Sequence, residues 1–452
     1  MRRLFGTDGV RGIANEYLTP ELAMEIGRAL GSLISDGGNE RTQVLIGEDT
    51  RISSRMLSAA VAAGLSAAGV DSSLIGVAPT PAIAYLVKKY GAKAGIVISA
   101  SHNPYKYNGI KIFGEDGFKL SDELEEQIEG AVLEKDGGTR LIIGDKIGRI
   151  CDTVGGIEDY IDHLISSART RLDGMRIVLD AANGATAVSA ERVFSSLGAH
   201  VIMMGDDPNG TNINEGCGST HTEKLCQRVV AEGADVGVAF DGDGDRCLAV
   251  TGDGNMIDGD FIMAILASDM KARGRLAHNA VVGTVMTNFG FQKFCDRIGI
   301  KFISTAVGDR YVLEAMRREG YVLGGEQSGH VILREYATTG DGQLTAIALL
   351  SCVKESGKSL SELARVMKRY PQHIINLEAD EKRKLSLFID GEIKAAIRDA
   401  EAELAGGGRI LVRPSGTEPL VRIMAEGDDE EKTVRVVNKL SDKISLRLTE
   451  LL

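Results

Sequence analysis

Three times along the chain the same order recurs: a short apolar run, a helix, a glycine and a second β-rich run. The glycines are Gly69 in LSAAGVDSSLIG, Gly198 in FSSLGAHVIMMG and Gly299 in CDRIGIKFIST, and each suits the left-handed residue that ends a helix. Upstream of them lie Val44-Leu45-Ile46, Ile177-Val178-Leu179 and Val281-Val282, so each copy reads as a strand–helix–strand unit. Copies spaced roughly 100 to 130 residues apart predict repeated α/β domains. A third strand follows in each copy, at Gly95-Ile96-Val97-Ile98, Val236-Gly237-Val238-Ala239-Phe240 and Tyr321-Val322-Leu323, and runs straight into a polar loop. Those loops are SASHNPYKYNG (99–109), DGDGDR (241–246) and GGEQSGH (324–330). Ligands of open α/β sheets bind beyond the carboxyl ends of strands, so three equivalent loops predict one shared cleft.

The tail breaks the pattern. After Tyr370-Pro371 the residues predict an acidic, helix-rich stretch, then the strand GGRILVR, the loop Pro414–Pro419 and the strand LVRIMAE. The expected fold class is therefore α/β: three related mixed α/β sheet domains, 1–152, 153–255 and 256–370, plus a smaller C-terminal α+β domain, 371–452, around a central cleft. At 452 residues the chain exceeds what one core usually supports, about 250 to 300 residues, so several domains are required in any case.

Charge and cysteine usage exclude whole classes of function. The net charge of -12, with no basic arm or stripe, argues against a nucleic-acid partner, although arginines gathered in a cleft can still hold a small anion. No run of ~18 apolar residues occurs, and the opening Met1–Asp8 breaks into Gly and Asp before any apolar stretch forms, so neither membrane insertion nor secretion is expected. Cys151, Cys217, Cys226, Cys247, Cys295 and Cys352 contain no CxxC pair and read as reduced thiols in a cytoplasmic protein.

The loops carry the chemistry. Asp241, Asp243 and Asp245 alternate with glycines that let the backbone curl, turning three hard oxygen ligands toward one point, as Mg²⁺ or Ca²⁺ requires. An EF-hand does not fit, because the sixth and twelfth positions are Arg246 and Gly252 and the flanks look like strands. Arg246 adds a donor for phosphate beside that metal. Ser101 lies where a strand ends; a serine there is commonly a turn residue or N-cap, but Pro104 argues against an immediate helix and the equivalent loop of the second copy holds the aspartates. His102 reads equally as a turn histidine, and Lys111 in GIKIF as a solvated strand residue or a cation serving the same pocket. Glu326, Gln327, Ser328 and His330 offer the donors and acceptors that sugar hydroxyls need, against the alternative of a plain β-turn. Arg413, Ser415, Gly416 and Thr417, with Arg422 beyond, combine guanidinium, hydroxyl and backbone N–H groups as phosphate sites do.

Taken in order, SASHNP, DGDGDR, GEQSGH and RPSGTEP resemble the α-D-phosphohexomutases, over residues 5 to about 426. FGTDGVRG (5–12), GTNINEGCGSTH (210–221), GDRYV (308–312) and the glutamine of GEQSGH resemble the branch that acts on glucosamine phosphates. The resemblance implies an isomerase that interconverts the 6- and 1-phosphates of glucosamine through a sugar bisphosphate, which also serves as activator, and so feeds UDP-N-acetylglucosamine and cell-wall synthesis. It implies that Ser101 is the phosphoserine, its phosphate completing a Mg²⁺ shell with Asp241, Asp243 and Asp245. Arg11 and Lys111 would assist proton transfer and phosphate contact, with His102 beside the phosphoserine. Glu326 and Ser328 would contact sugar hydroxyls near His330, while Arg413, Ser415, Gly416, Thr417 and Arg422 would grip the phosphate that does not react. Two positions depart from the family pattern: Ser99, where many relatives have threonine, and Glu48, where a basic residue is common. The motifs leave open a glucose or mannose phosphate as substrate, a non-catalytic sugar-phosphate or Ca²⁺ binder, and a homodimer.

Overall fold

The computed structural model describes residues 4–6, 8–35, 41–133, 141–415 and 419–450. The first sheet contains β1 (Val10–Ile13), β2 (Gln43–Glu48), β3 (Asp71–Val77), β4 (Ala94–Ile98), β5 (Tyr107–Gly114) and β6 (Ile150–Asp152), in the order β1-β5-β4-β2-β3-β6. The second holds β7 (Arg176–Asp180), β8 (His200–Met204), β9 (Val236–Phe240), β10 (Cys247–Thr251) and β11 (Met256–Ile257), ordered β11-β10-β9-β7-β8. The third is β12 (Ala280–Thr284), β13 (Lys301–Thr305), β14 (Leu323–Gly325) and β15 (Val331–Leu333), ordered β13-β12-β14-β15. The sequence repeat is thus a topological repeat. In each copy the first strand of the unit lies between the second and third, and the third turns back antiparallel into a hairpin: β4 with β5, β9 with β10, β14 with β15. The hairpin turns are where the three polar loops sit.

Apolar runs build these strands because both faces are covered. Val44, Ile46, Ile96, Ile98, Ile110 and Ile112 pack with Ile26, Leu30, Leu57, Val61 and Leu65 from the helices Pro20–Ile34 and Ser54–Ala67. Each such side chain contributes roughly 1.5–3 kcal/mol on burial. The two helices touch through glycine: a Cβ on Gly64 would stand 2.0 Å from the Met24 carbonyl oxygen and one on Gly27 2.3 Å from that of Val61.

The chain packs as two compact units, 1–284 with 303–366 and 285–302 with 367–452. The second unit carries a sheet of β16 (Gln372–Glu378), β17 (Gly408–Pro414) and β18 (Leu420–Gly427), ordered β16-β18-β17 and antiparallel throughout. Helices Gly391–Leu404 and Glu430–Glu450 supply Ile393, Leu404, Val436, Leu440 and Ile444 to its core. One feature differs from expectation. The stretch after Pro371 opens with a strand rather than a helix, because Ile375 and Leu377 reach the core while Ile374 stays 47% exposed at the sheet edge. The helix of the third copy, Phe289–Ile298, packs within the second compact unit: Asn288 Nδ2 bonds Tyr370 O and Glu426 Oε1, both at 3.0 Å, and Glu426 Oε2 accepts from Phe289 N at 3.2 Å. Among the described residues no helix is long and apolar enough to cross a membrane.

Candidate active site

Ser101 leaves the end of β4 in a left-handed conformation (φ 51°), which costs a non-glycine residue about 1–2 kcal/mol and therefore needs external support. The result is that its Oγ, almost wholly buried, donates to Asp241 Oδ2 at 2.5 Å. The aspartate loop curls against it. A Cβ on Gly242 would lie 2.6 Å from the Ser101 carbonyl oxygen, so the approach of the two loops requires that glycine, while Gly244 is required by its left-handed backbone (φ 73°). One carboxylate oxygen from each of Asp241, Asp243 and Asp245 falls within 4.8 Å of the others.

These carboxylates are buried, and their chemistry fits a divalent cation. Burial, and then Asp245 and Asp243 alongside, push the Asp241 carboxyl well above its ordinary range, because three carboxylates converge on one point. Asp243 Oδ1 and Asp245 Oδ1 are buried without a hydrogen-bond partner. The other Asp243 oxygen is held by Thr80 Oγ1 at 2.7 Å and Lys111 Nζ at 2.8 Å. Three fixed oxygens with two orphaned lone-pair positions make a hard-ligand site for a metal ion.

A closed ring of opposite charges surrounds the cluster. Lys111 Nζ contacts Asp243, Asp245 at 3.4 Å and Asp8 at 3.1 Å; Lys119 Nζ pairs with Asp8 and with Asp309, each at 2.5 Å; His330 faces Asp309 and Asp245, each at 3.6 Å. Burial works against the charge on Lys111, but Asp243, Asp8 and Asp245 outweigh it and hold the amine protonated well above the lysine range. Gly340 N lies 3.1 Å from His330 Nε2; burial works against a charge on the ring, but Asp245 and Asp309 outweigh it and pull its pKa up to about 9. Arg11 pairs with Asp8, and Arg246 donates its backbone N–H to Asp241 Oδ1 at 3.1 Å. His102 Nδ1 lies 3.4 Å from Ser101 Oγ; burial, then Arg246 and Arg11, lower its pKa to about 4, so it is uncharged at neutral pH.

The third loop is built on β14, two residues later than its apolar run predicts. Gly324 continues the strand because a Cβ there would stand 2.6 Å from Met316 Sδ and 3.0 Å from the Val282 carbonyl oxygen. Glu326 N–H donates to His330 O at 2.9 Å, closing the loop, while Glu326 Oε1 accepts from Gly308 N at 3.0 Å and Ser328 is exposed at the tip. Ser101, His102, Arg11, Lys111, Arg246, the aspartates, Glu326, Ser328 and His330 all belong to the first unit. Arg413, Ser415 and Arg422 belong to the second; Arg413 and Arg422 are direct cross-strand partners lining a cavity of about 350 Å³ with Asn376, and burial and Arg422 together lower the Arg413 pKa. Gly416 and Thr417 lie outside the described residues. Sequence reasoning passed over Asp8, Lys119, Asp309, Thr80, Asp49, Arg51 and Asn214. Asp49 and Arg51 had a signal, since GEDTR (47–51) runs off the end of β2, at the same end of the sheet as Ser101.

Four domain families, described as phosphoglucomutase/phosphomannomutase α/β/α domains I, II and III and C-terminal domain, match residues 2–138, 158–254, 258–370 and 374–443. The phosphoglucosamine mutase of Clostridium kluyveri is 49% identical over 449 residues, covering 99% of this chain and 100% of that one. The chain belongs to this family, among the phosphoglucosamine mutases. A phosphoglucomutase/phosphomannomutase family protein of Burkholderia thailandensis has the same fold (TM-score 0.83, 24% identity, 97% of each chain). So does N-acetylphosphoglucosamine mutase of Aspergillus fumigatus, solved in complex with GlcNAc-6P and magnesium (TM-score 0.68, 16% identity, 98% of this chain and 96% of that one). Four family domains, three with mixed α/β sheets and a smaller fourth, account for the sheets described above.

Proposed function

We propose that the protein interconverts glucosamine 6-phosphate and glucosamine 1-phosphate by passing a phosphoryl group to and from Ser101. The observation that carries this reading is the buried Ser101 Oγ standing 2.5 Å from Asp241 Oδ2 at the edge of a three-carboxylate cluster. The choice of glucosamine rests on the half-identical relative and its name. The ion is read as Mg²⁺, held by Asp241, Asp243, Asp245 and a phosphate on Ser101; when bound it withdraws charge from the phosphoryl group in transfer.

The chain's own residues supply positioning and neutralisation. Phosphoserine 101 gives its phosphoryl to the 6-hydroxyl of glucosamine 1-phosphate: the Oγ–P bond breaks, a P–O6 bond forms, and the O6 proton is taken up by the departing Ser101 Oγ, which shares it with Asp241 Oδ2. The bisphosphate then presents its other end: the O1–P bond breaks, a P–Oγ bond forms, and the proton held between Ser101 Oγ and Asp241 Oδ2 passes to O1, releasing glucosamine 6-phosphate. Lys111, kept charged by its buried partners, and Arg11 and Arg246 face the phosphate, while neutral His102 offers a hydrogen bond beside Oγ without adding charge. Glu326 and Ser328 take sugar hydroxyls, with His330 fixing the loop that carries them. Arg413, Ser415, Gly416, Thr417 and Arg422 take the phosphate that does not react; two arginines facing across a strand pair favour a dianion there. We read the chain as four domains divided near 152, 255 and 370, with the last as the phosphate-binding lid. A bisphosphate of the same sugar primes Ser101.

The deciding assay compares glucosamine, glucose and mannose 1-phosphates with Mg²⁺ and a trace of glucose 1,6-bisphosphate. The expected result is the highest kcat/KM for glucosamine phosphate. Equal or better turnover of glucose 1-phosphate assigns the protein to the glucose branch instead.

A further inference from the structure

The loop that carries Ser101 has no helix or sheet to hold it from residue 99 to residue 106, yet Ser101 is buried and sits in a backbone conformation that serine rarely adopts. Its support comes from Asp49 and Arg51, which follow β2, the strand beside β4. Both side chains are fully buried, with Arg51 Nε donating to Asp49 Oδ2 at 2.8 Å. The rest of the guanidinium is spent on the Ser101 loop: NH1 donates to Pro104 O at 2.6 Å and Tyr107 O at 3.1 Å, and NH2 to Ser101 O at 2.8 Å. Asp49 reaches the same residue from the other side. Its Oδ2 accepts from Ser99 Oγ at 2.6 Å, and Ser99 Oγ accepts the backbone N–H of Ser101 at 3.0 Å. Asn214 Nδ2, from the 210–221 loop, gives the Ser101 carbonyl a second donor at 3.0 Å.

We propose that the Asp49–Arg51 pair, with Ser99 as its relay, is a positioning device that sets the backbone of Ser101 for phosphoryl transfer, an inference that rests on Ser101 being the phosphorylated residue. Both the N–H and the C=O of Ser101 end on this pair, so the peptide units on either side of its Cα are fixed and Oγ is aimed at Asp241. Neither Asp49 nor Arg51 hydrogen-bonds Oγ itself; they act through the main chain. A planar fork of five donors serves a carboxylate and three separate carbonyls at once, a set of four contacts that a lysine, with three donors on one atom, would not make. Ser99 thereby has a role that uses its hydroxyl both as donor and as acceptor.

The test uses the full chain with Mg²⁺ and glucose 1,6-bisphosphate as phosphoryl donor. Phosphate uptake on the peptide containing Ser101 is timed by mass spectrometry, with fragmentation to separate Ser99 from Ser101, alongside kcat, KM and the thermal midpoint. For Arg51→Lys the uptake rate and kcat each fall about 10²-fold while KM stays within about threefold, because misaimed chemistry, rather than lost sugar binding, is the defect. Uptake and kcat at the wild-type level, with only a lower thermal midpoint, overturn the inference and leave the pair a stability element. Should Arg51→Lys not fold, Ser99→Ala decides: it removes the relay to the Ser101 N–H alone, and slowed uptake at Ser101 supports the device whereas an unchanged rate overturns it. Wild-type uptake at a residue other than Ser101 overturns the proposed function itself, an outcome distinct from normal uptake at Ser101 in the variants.

Discussion

Ser101 and Asp243 stand in one site but answer different questions when removed. Ser101→Ala deletes the phosphoryl acceptor and leaves the three carboxylates in place, so mutase kcat is expected to fall by about 10³-fold or more while Mg²⁺ still raises the thermal midpoint. A ligand at one hundred times its Kd adds about 2.7 kcal/mol to stability, enough to read as a shift in melting. Asp243→Ala loses both activity and that shift, since it removes one of three convergent oxygens and the nearest partner of Lys111 Nζ, at 2.8 Å. Full activity in Ser101→Ala, or an undiminished Mg²⁺ shift in Asp243→Ala, contradicts the assignment. The serine and the aspartates were legible because each stands within a few residues of a strand end, where chain order alone brings it to the loop cluster. Asp8, Lys119 and Asp309 were not, because their meaning lies in pairings across 111 and 190 residues that no local pattern carries.

At the scale of elements, the turn opening the helix Asp309–Glu319 ties the Glu326 loop to the first repeat. Gly308 N–H holds Glu326, Asp309 holds Lys119, and Arg310 reaches Glu125 at 3.1 Å and Leu120 O at 3.2 Å. Removing Lys119 leaves Asp309 and Asp8 mostly buried without their shared cation, so Lys119→Ala is expected to cost about 3 kcal/mol in urea unfolding and to raise KM through the Glu326 loop. The double variant Lys119→Ala with Asp309→Ala should cost less than the two singles together, by between about 0.5 and 3 kcal/mol. Strict additivity would show that the pair contributes nothing. The repeated strand–helix–strand units were readable from apolar runs and helix-ending glycines such as Gly198 (φ 94°). β16 was not: its hydrogen-bonding partner β18 lies more than forty residues downstream, and its alternation is diluted by half-exposed edge positions.

Across the whole molecule, the proposed transfer chemistry and the proposed phosphate grip lie in different compact units, Ser101 in the first and Arg413 in the second, so the two functions are separable by mutation. The net charge of -12 makes long-range attraction of a sugar phosphate unfavourable, and binding must come from cations placed locally. Arg413 and Arg422 oppose each other across β17 and β18; burial, and then the charge of Arg422, lower the Arg413 pKa, and a dianion between the two arginines would relieve that repulsion. Such a contact serves ground state and transition state alike, because it holds the end of the sugar that does not react. Arg413→Ala is therefore expected to raise KM and lower kcat/KM by about 10²-fold, while phosphorylation of Ser101 by a bisphosphate persists. Hydrogen exchange supplies an independent readout: peptides covering 409–424 should gain protection with glucosamine 1-phosphate in the wild type and lose that gain in Arg413→Ala. Unchanged kinetics together with no ligand-dependent protection would leave the two arginines as surface charges on a sheet and move the distal phosphate site elsewhere in the chain.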